Sequence, residues 1–228
     1  MENFDYIKRN LELLREELAT LSARLGTPLA DLVCVTKSGT DEELLALAGF
    51  GASDFGENRP QEVKRRAELL LANGLSPRMH EIGNLQRNKV KLIADTAYMV
   101  HSVDSVKLAS DIGRLCTEKG IVMPVLIEIN SAREPQKGGV MPEACEEFLH
   151  EISEIRGISP RGLMTMGPVV SNPEEIRPYF KLTRKLFDSL ISRFDGEPVL
   201  SMGMSDSYAC AIEEGSTLVR VGRRLFYK

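Results

Sequence analysis

The sequence alternates eight times between a short apolar run and a longer segment with helical periodicity. The apolar runs are rich in β-branched residues and lie at 31–37, 52–58, 79–83, 97–104, 123–130, 158–166, 198–205 and 217–222. Strands that alternate with helices form parallel sheets, in which each strand is followed by its own helix. Because an open doubly wound sheet commonly has about five or six strands, eight units favour an α/β fold that closes into a (β/α)8 barrel of the TIM type.

One further helix precedes the first unit. Within residues 3–24, apolar side chains recur every three or four positions and form one stripe along a helix. We therefore assign residues 1–25 to a leading amphipathic helix. Nothing in the composition of the 228-residue chain marks a linker, so the sequence predicts a single domain over residues 1–228.

Capping signals mark the start of three of the later helices. They are Thr40 with Glu43, Asn58 with Gln61, and Asn172 followed by Pro173.

Composition and charge exclude several classes of protein. The net charge is -4 and the lysines and arginines are scattered, so no basic stripe is available for nucleic acid. Charged residues run through the amino terminus, which argues against a signal peptide or a membrane span and predicts a cytoplasmic protein. The four cysteines form no C-x-x-C pair and have no histidine close enough in sequence to suggest a zinc site, so we expect reduced, mostly buried thiols and no metal site.

In a (β/α)8 barrel the functional residues lie at the carboxyl ends of the strands. The chain places chemically suitable residues at all eight ends, and it has neither a G-x-G-x-x-G motif after the first strand nor a P-loop motif. The candidates are Lys37, Asn58, His80, Gly83, His101, Asp104, Asn130, Met164, Ser201–Ser205 and Arg220–Arg223.

The loops after the last two strands have the composition of an anion site. The segment "SMGMSDSYACAIEEGS" combines serine hydroxyls, glycine and a helix start, and "VRVGRR" adds Gly222 and cations. Barrel enzymes frequently bind a phosphate at this pair of strands. The alternative is that Ser205 only caps a helix and Gly222 only turns the chain.

The first strand ends on a lone lysine, Lys37, in "VCVTKS". Taken alone, this is typical of a solvated surface charge. In a closed barrel, however, the first strand neighbours the eighth, so a phosphate site and an amine would lie side by side. That pairing suits a phosphorylated aldehyde held as a Schiff base, for example pyridoxal 5'-phosphate, with Arg220 as the nearby cation that favours a deprotonated amine.

A set of motifs in fixed order extends this interpretation. They are "VTKS", "FGENRPQEV", "HEIGNLQRNK", "HSVDS", "LIEIN", "RGLMTM" and "LSMGMSDSYACAIEEGSTLVRVG". With them the chain resembles the pyridoxal phosphate homeostasis proteins, which are themselves similar to the amino-terminal barrel of alanine racemase. The resemblance runs from about residue 32 to the last strand.

The resemblance implies a cofactor site, and it assigns a role to each matching residue. Lys37 would carry the cofactor, while Ser201, Ser205 and Gly222 would hold its phosphate. Asn58 and Arg220 would line the cofactor. An arginine near the pyridine nitrogen keeps that nitrogen unprotonated and weakens the ring as an electron sink.

Several positions leave alternatives open. The family commonly has aromatic residues where this chain has Met79 and Glu81, and often histidine where it has Asn84. His80 and His101 are candidates for acid–base groups or for hydrogen-bonded structural residues. Lys137 is a solvated loop charge or a second, adventitious attachment point. Met164, Met166, Met202 and Met204 are expected in the core or the pocket wall.

Catalysis by such a site needs a second proton-transfer group facing the lysine. In alanine racemases a tyrosine from an additional domain of the neighbouring subunit supplies it, whereas this chain ends at Lys228, and Tyr208 is the one tyrosine beside the phosphate loop. We therefore expect a monomeric carrier of pyridoxal phosphate with no catalytic residue, which serves vitamin B6 homeostasis and delivers the cofactor to apo-enzymes. The alternatives are a weak pyridoxal-phosphate-dependent racemase, a cofactor-free Schiff-base aldolase, and a module that senses the cofactor.

Overall fold

A computed structural model describes residues 4–228 of the chain. Eight parallel strands close into a barrel in chain order, and the first strand pairs with the eighth. The predicted fold class is confirmed. The strands are β1 Asp31–Val35, β2 Asp54–Glu57, β3 Arg78–Glu81, β4 Ala97–Val103, β5 Met123–Glu128, β6 Ile158–Met164, β7 Val199–Ser201 and β8 Leu218–Val221.

All eight predicted strands are present, and each ends before the carboxyl end of its apolar run. β1 ends at Val35, so Lys37 lies in the turn that follows and not in the strand. β7 is only three residues long. The terminal residues leave the ladder because they build the loops around the barrel mouth.

Within residues 4–228, seven α-helices surround the barrel. They are α1 Asp5–Leu25, α2 Asp41–Gly49, α3 Pro60–Ala72, α4 Val106–Glu118, α5 Cys145–Ser153, α6 Arg177–Leu190 and α7 Tyr208–Glu213. Two strands depart from the expected alternation: β3 is followed by the 3-10 helix Arg87–Leu92 and β8 by the 3-10 turn Arg223–Leu225. After β3, the buried Val90 and Ile93 stand three residues apart, the spacing that a 3-10 helix keeps on one face.

The leading helix α1 is present, and its apolar stripe is buried at Ile7, Leu11, Leu14 and Leu18. The leading helix was predicted over residues 1–25, and residues 1–3 of that range lie outside the described part of the chain. The large hydrophobic core lies between the strands and the surrounding helices, while a second cluster of Met99, Leu126 and Met164 fills the barrel interior.

Two of the three predicted caps are confirmed. Thr40 and Glu43 form a reciprocal capping box on α2, and Asn172 caps the 3-10 turn that leads into α6. The prediction for Asn58 is wrong. α3 begins at Pro60 with Arg59 at the N-cap position and no side-chain cap, because a proline at the first helical position sets the start of the helix.

Two further features concern the surface and the thiols. No helix formed by residues 4–228 is long and apolar enough to cross a membrane. All four cysteines are free and buried, as the sequence predicted. Within the same residues, no group of three or more histidine, cysteine, aspartate or glutamate side chains is arranged to hold a metal ion.

Candidate cofactor site at the barrel mouth

Lys37 lies in the turn between β1 and α2, at the carboxyl rim of the barrel. Its side chain is exposed, and no other described residue holds it in a hydrogen bond or an ion pair. The amine is therefore available to a ligand in the mouth. Its flanks are fixed by the sheet, since Thr36 N–H donates to Gly56 O at 3.1 Å.

A buried arginine of α3 holds this turn from below. Arg66 Nη1 donates to Thr36 O at 2.6 Å and Nη2 donates to Gly39 O at 2.8 Å. Its charge is balanced by Glu57, whose carboxylate lies 2.9 Å from Nη1 and accepts a 2.5 Å hydrogen bond from the Thr36 hydroxyl. Burial raises the pKa of Glu57, and the Thr36 and Arg66 contacts offset part of that rise. The guanidinium thus clamps the residues on both sides of Lys37.

Arg220 of β8 is buried inside the barrel beneath the mouth. Its Nη1 donates to Ser201 Oγ at 2.5 Å and its Nη2 donates to Thr165 O at 3.2 Å. Burial lowers its pKa to about 10, against the opposing effect of Glu128, so the group is still a cation at neutral pH. In register, Arg220 lies opposite Val33 of β1.

Ser201 lies at the carboxyl end of β7, as predicted, and its side chain points into the barrel interior. Its side chain is fully buried, and its hydroxyl contacts Arg220 and, at 3.1 Å, His101 Nδ1. These contacts support the arginine and leave the hydroxyl occupied. The phosphate role predicted for Ser201, Ser205 and Gly222 stays a prediction.

Ser205 and Gly222 lie together, as a phosphate cradle requires. Gly222 N–H donates to Ser205 Oγ at 3.3 Å, and a Cβ at Gly222 would lie only 2.8 Å from Val35 O. Gly203, with φ of +90°, turns the loop so closely over α7 that its own Cβ would lie 2.6 Å from Ala211 Cβ. Within residues 4–228, the amide N–H groups of Ser205 and Arg223 have no acceptor, which is the property of an anion-binding loop.

Asn58 follows β2 at the same rim, next to the Lys37 turn in the ring of strands. Its side chain is exposed and makes no hydrogen bond with another described residue. Its backbone is packed tightly, because a Cβ on Gly83 would lie 2.3 Å from Asn58 O. The amide can therefore meet a ligand from the side of β2.

The opposite side of the mouth is acidic. Glu128 ends β5, and burial raises its pKa to about 7, with Asp104 adding to the rise and Arg220 opposing it. In a ring of eight strands β5 lies across from β1. Glu128 and Lys37 therefore approach the mouth from opposite sides.

The other candidates from the sequence, the two histidines, Lys137 and the methionines, have the following positions and contacts. His80 and His101 are buried and hydrogen-bonded to each other, His80 Nδ1 to His101 Nε2, at 2.9 Å. Lys137 is paired with Glu134 at 2.9 Å and contacts Gly167 O at 3.3 Å. Met164 and Met202 are buried, whereas Met166 and Met204 are 40% and 39% exposed, so the last two belong to the rim and not to the core.

Tyr208 faces away from the site. Its hydroxyl donates to Glu17 of α1 and accepts from Arg224, and burial together with the Glu17 contact raises its pKa to about 12. These contacts engage the hydroxyl at the helical exterior of the barrel. It is not placed to exchange protons with a ligand beside Lys37.

Sequence reasoning missed the groups that support the site from inside the structure. Arg66, Glu57 and Asp54 were not singled out, although Glu57 and Asp54 are charged residues inside the apolar run 52–58. Arg66 lies in the middle of α3 and carried no comparable signal. Buried charges are paired or hydrogen-bonded, so a charge at a strand position was the signal. Glu128, in "LIEIN", carried the same signal.

Unpaired backbone amides beside an unpaired lysine at the mouth of an eight-stranded barrel place the chain in the class of barrels suited to an anionic ligand. The family model described as the alanine racemase N-terminal domain matches residues 9–227. A solved alanine racemase of Clostridium difficile has the same fold, with a TM-score of 0.74 at 17% identity over 98% of this chain and 56% of that one.

Relatives with known names narrow the class. The pyridoxal phosphate homeostasis protein of Aquifex aeolicus is 38% identical over 227 residues, which cover 99% of this chain and 98% of that protein. The protein of the same name from Helicobacter pylori is 36% identical over 200 residues, 87% of each chain. The chain belongs to the pyridoxal phosphate homeostasis protein family, as the motifs predicted.

A solved structure is similar to this chain over nearly its whole length. PipY of Synechococcus elongatus, whose structure was determined with pyridoxal phosphate bound, is 28% identical to this chain. The match has a TM-score of 0.84 and covers 97% of this chain and 100% of that one.

Proposed function

We propose that this protein binds pyridoxal 5'-phosphate through Lys37 and serves vitamin B6 homeostasis as a carrier of the cofactor. The main observation behind the proposal is that an unpaired amine and a loop with unpaired amides follow neighbouring strands of the barrel. β1 pairs with β8, and Gly222 packs against Val35, two residues before Lys37. The names of the relatives and the cofactor bound to PipY support it.

The donor groups at the mouth fit the chemistry of this cofactor. When bound, the cofactor supplies an aldehyde that forms a Schiff base with a lysine amine. Ser205, Gly222 and the unpaired amides would hold the phosphate dianion, because backbone N–H groups bind anions without a countercharge. Asn58 would line the ring on the side of β2. Arg220, a cation that can only donate hydrogen bonds, would face the pyridine nitrogen and keep it unprotonated.

Two features favour storage and delivery over catalysis. An unprotonated ring is a poor electron sink, and the hydroxyl of Tyr208 is engaged with Glu17 and Arg224. We also propose that the barrel of residues 1–228 is one domain, that the protein is a cytoplasmic monomer, and that apo-enzymes which use the cofactor are its partners.

The attachment point is tested by reducing the cofactor-loaded protein with borohydride and mapping its peptides. We expect a pyridoxyl adduct on Lys37 in the wild type and loss of the bound chromophore in Lys37→Ala. Lys137→Ala is the matched control, because Lys137 is already paired with Glu134. An adduct confined to Lys137, or a colourless wild type after incubation with the cofactor, would contradict the proposal.

One observation favours a second candidate, a weak racemase. Glu128, with a pKa of about 7, has the acidity expected of a general acid or base and faces Lys37 across the mouth. Loaded protein incubated with L-alanine in deuterated water distinguishes the two functions. A carrier gives no sustained α-deuteration, whereas a racemase gives deuteration that Glu128→Gln abolishes.

A further inference from the structure

A chain of hydrogen bonds runs through the interior of the barrel beneath the proposed site. Arg220 donates to Ser201 Oγ at 2.5 Å, and this oxygen lies 3.1 Å from His101 Nδ1. His101 Nε2 lies 2.9 Å from His80 Nδ1, and His80 Nε2 lies 3.1 Å from Asp54 Oδ1. We call these five residues the polar column. It links the mouth to the first residue of β2, at the opposite end of the barrel.

The groups at the two ends of the polar column determine its direction, that is, which partner donates and which accepts in each hydrogen bond. A guanidinium has no acceptor, so Arg220 only donates. Asp54 only accepts when it is ionised, and although burial acts to raise its pKa, hydrogen bonds from His80, Arg78 and Ser53 lower it to about 2. His80 Nε2 must therefore carry the hydrogen that lies between the ring and Asp54.

The interior of the polar column then has one consistent arrangement for neutral rings. His80 Nδ1 accepts from His101 Nε2–H, and His101 Nδ1 accepts from the Ser201 hydroxyl, whose lone pair receives Arg220. His101 is held neutral, because burial lowers its pKa well below the usual value and His80 and Arg220 add to that effect. Every donor in the chain meets one acceptor.

Charged and titratable groups on the neighbouring strands surround Asp54, the end of the polar column that lies away from the mouth. Arg78 of β3 donates to Asp54 at 2.5 Å, and the Tyr98 ring of β4 packs against His80. Asp31 of β1 lies close enough for Asp54 to raise its pKa, after the larger effect of burial. Among residues 4–228, Asp54 alone is within hydrogen-bond distance of His80 Nε2, so Asp54 is the acceptor that orders the ring.

We propose that Asp54, His80 and His101 are positioning residues of the cofactor site, which hold Arg220 in place by fixing the tautomer of each ring and the orientation of the Ser201 hydroxyl. The proposal rests on the proposed function for the identity of the ligand. It gives a role to residues that lie outside the mouth, and it explains why a polar chain is buried inside the barrel. A satisfied polar network of this kind makes one arrangement of its members strongly preferred.

The proposal is tested by replacing Asp54 with asparagine. An amide both donates and accepts, so in Asp54→Asn the polar column can run in either direction. We expect ¹H–¹⁵N spectra of histidine-labelled apo protein to show Nε2–H tautomers for both rings in the wild type and mixed tautomers in the variant. The dissociation constant for pyridoxal phosphate, read from its absorbance, should rise about three- to tenfold, the range of one lost hydrogen bond.

The matched control is Asp31→Asn, which removes the same charge from the same end of the barrel without touching the polar column. It should leave tautomers and affinity as in the wild type, and the exposed His150 is an internal reference in the spectra. Nδ1–H tautomers in the wild type, or equal behaviour of the two variants, would overturn the proposal. If the wild type forms no Lys37 adduct, the proposed function fails, but the spectra of the apo protein still decide the direction of the polar column.

A second variant covers the case in which Asp54→Asn does not fold. Ser201→Ala cuts the link between Arg220 and the rings but leaves the contact between His80 and Asp54. We expect the same loss of affinity with unchanged Nε2–H tautomers at His80. Wild-type affinity in Ser201→Ala contradicts the positioning role.

Discussion

Glu81 carries a buried carboxyl at the carboxyl end of a barrel strand. It is fully buried at the end of β3, and its Oε1 accepts a 2.9 Å hydrogen bond from Gly83 N–H. Its Oε2 has no partner among the described residues. Burial raises the pKa of Glu81 to about 8, the Gly83 contact opposes this, and Glu57 adds to it. The group is therefore protonated in the folded protein at neutral pH.

This pKa predicts a pH-dependent stability. In the unfolded chain Glu81 loses its proton near its ordinary pKa of 4.5, whereas the folded protein keeps the proton up to about pH 8. The free energy of unfolding should therefore fall as the pH rises from about 4.5 to about 8. Relative to Glu81→Gln, the wild type should lose at most about 5 kcal/mol over this window, measured by urea denaturation at a series of pH values.

The test compares how steeply the free energy of unfolding changes with pH in the two proteins, and not its absolute value. The buried amide of Glu81→Gln also lowers the free energy of unfolding by an amount that does not depend on pH. Glu118→Gln is the control, since Glu118 lies on the exposed face of α4 with 56% of its side chain accessible. Its profile should parallel that of the wild type. Parallel profiles for the wild type and Glu81→Gln would contradict the assignment.

At the scale of elements, α3 holds the turn that carries Lys37. Arg66 reaches from the buried face of α3 to two carbonyl groups of the turn and to Glu57 of β2. Its Nε has no hydrogen-bond partner among the described residues and lies 3.6 Å from Glu62. The planar, forked guanidinium satisfies two carbonyls and a carboxylate at once, which an ammonium group cannot do with the same geometry.

Arg66→Lys should therefore be strongly destabilising despite keeping the charge. We expect a loss of about 3 kcal/mol in the free energy of unfolding, the cost of breaking a buried pair. The reducible adduct on Lys37 should also form more slowly, because the turn loses its two anchors. Urea denaturation and the time course of adduct formation measure the two effects.

The neighbouring Arg65→Lys is the matched control for this clamp. Arg65 lies next in sequence and pairs with Asp41 at 2.6 Å, but 46% of its side chain is exposed. Exposed pairs contribute about 0.2 to 1 kcal/mol, so Arg65→Lys should hardly change the free energy of unfolding or the rate of adduct formation. Equal effects of the two substitutions would show that burial and forked geometry do not matter here.

The predicted strands were found, whereas the α-helices expected after β3 and β8 are 3-10 segments, and the other errors concern residues at the ends of elements. Eight apolar runs became eight strands, because alternation with helices leaves a parallel sheet few alternatives. Lys37 lies beyond its strand and Asn58 is not an N-cap, since loop geometry and Pro60 decide those positions. Ser201 lies inside the barrel because side chains alternate along a strand, and the apolar run did not reveal which face Ser201 takes.

At the scale of the whole molecule, α1 takes the place of the helix that should follow β8. Among the described residues, β8 is followed by the 3-10 turn Arg223–Leu225, which leaves a gap in the outer layer between α7 and α2. α1 packs against both of these helices and against the turn. Asn10 of α1 also donates to Tyr227 O at 2.8 Å, so the first helix and the last residues are fastened together.

This arrangement predicts that α1 is an integral part of the barrel and not an appendage. Leu14 and Leu13 are adjacent on α1, but Leu14 is 1% exposed and Leu13 is 48% exposed. Leu14→Ala should lower the free energy of unfolding by about 2 to 5 kcal/mol, the cost of a buried cavity. Leu13→Ala should cost less than about 0.5 kcal/mol, as at an ordinary surface position. Urea denaturation of both variants measures the difference, and a silent Leu14→Ala would mean that the barrel is stable without α1 covering the gap.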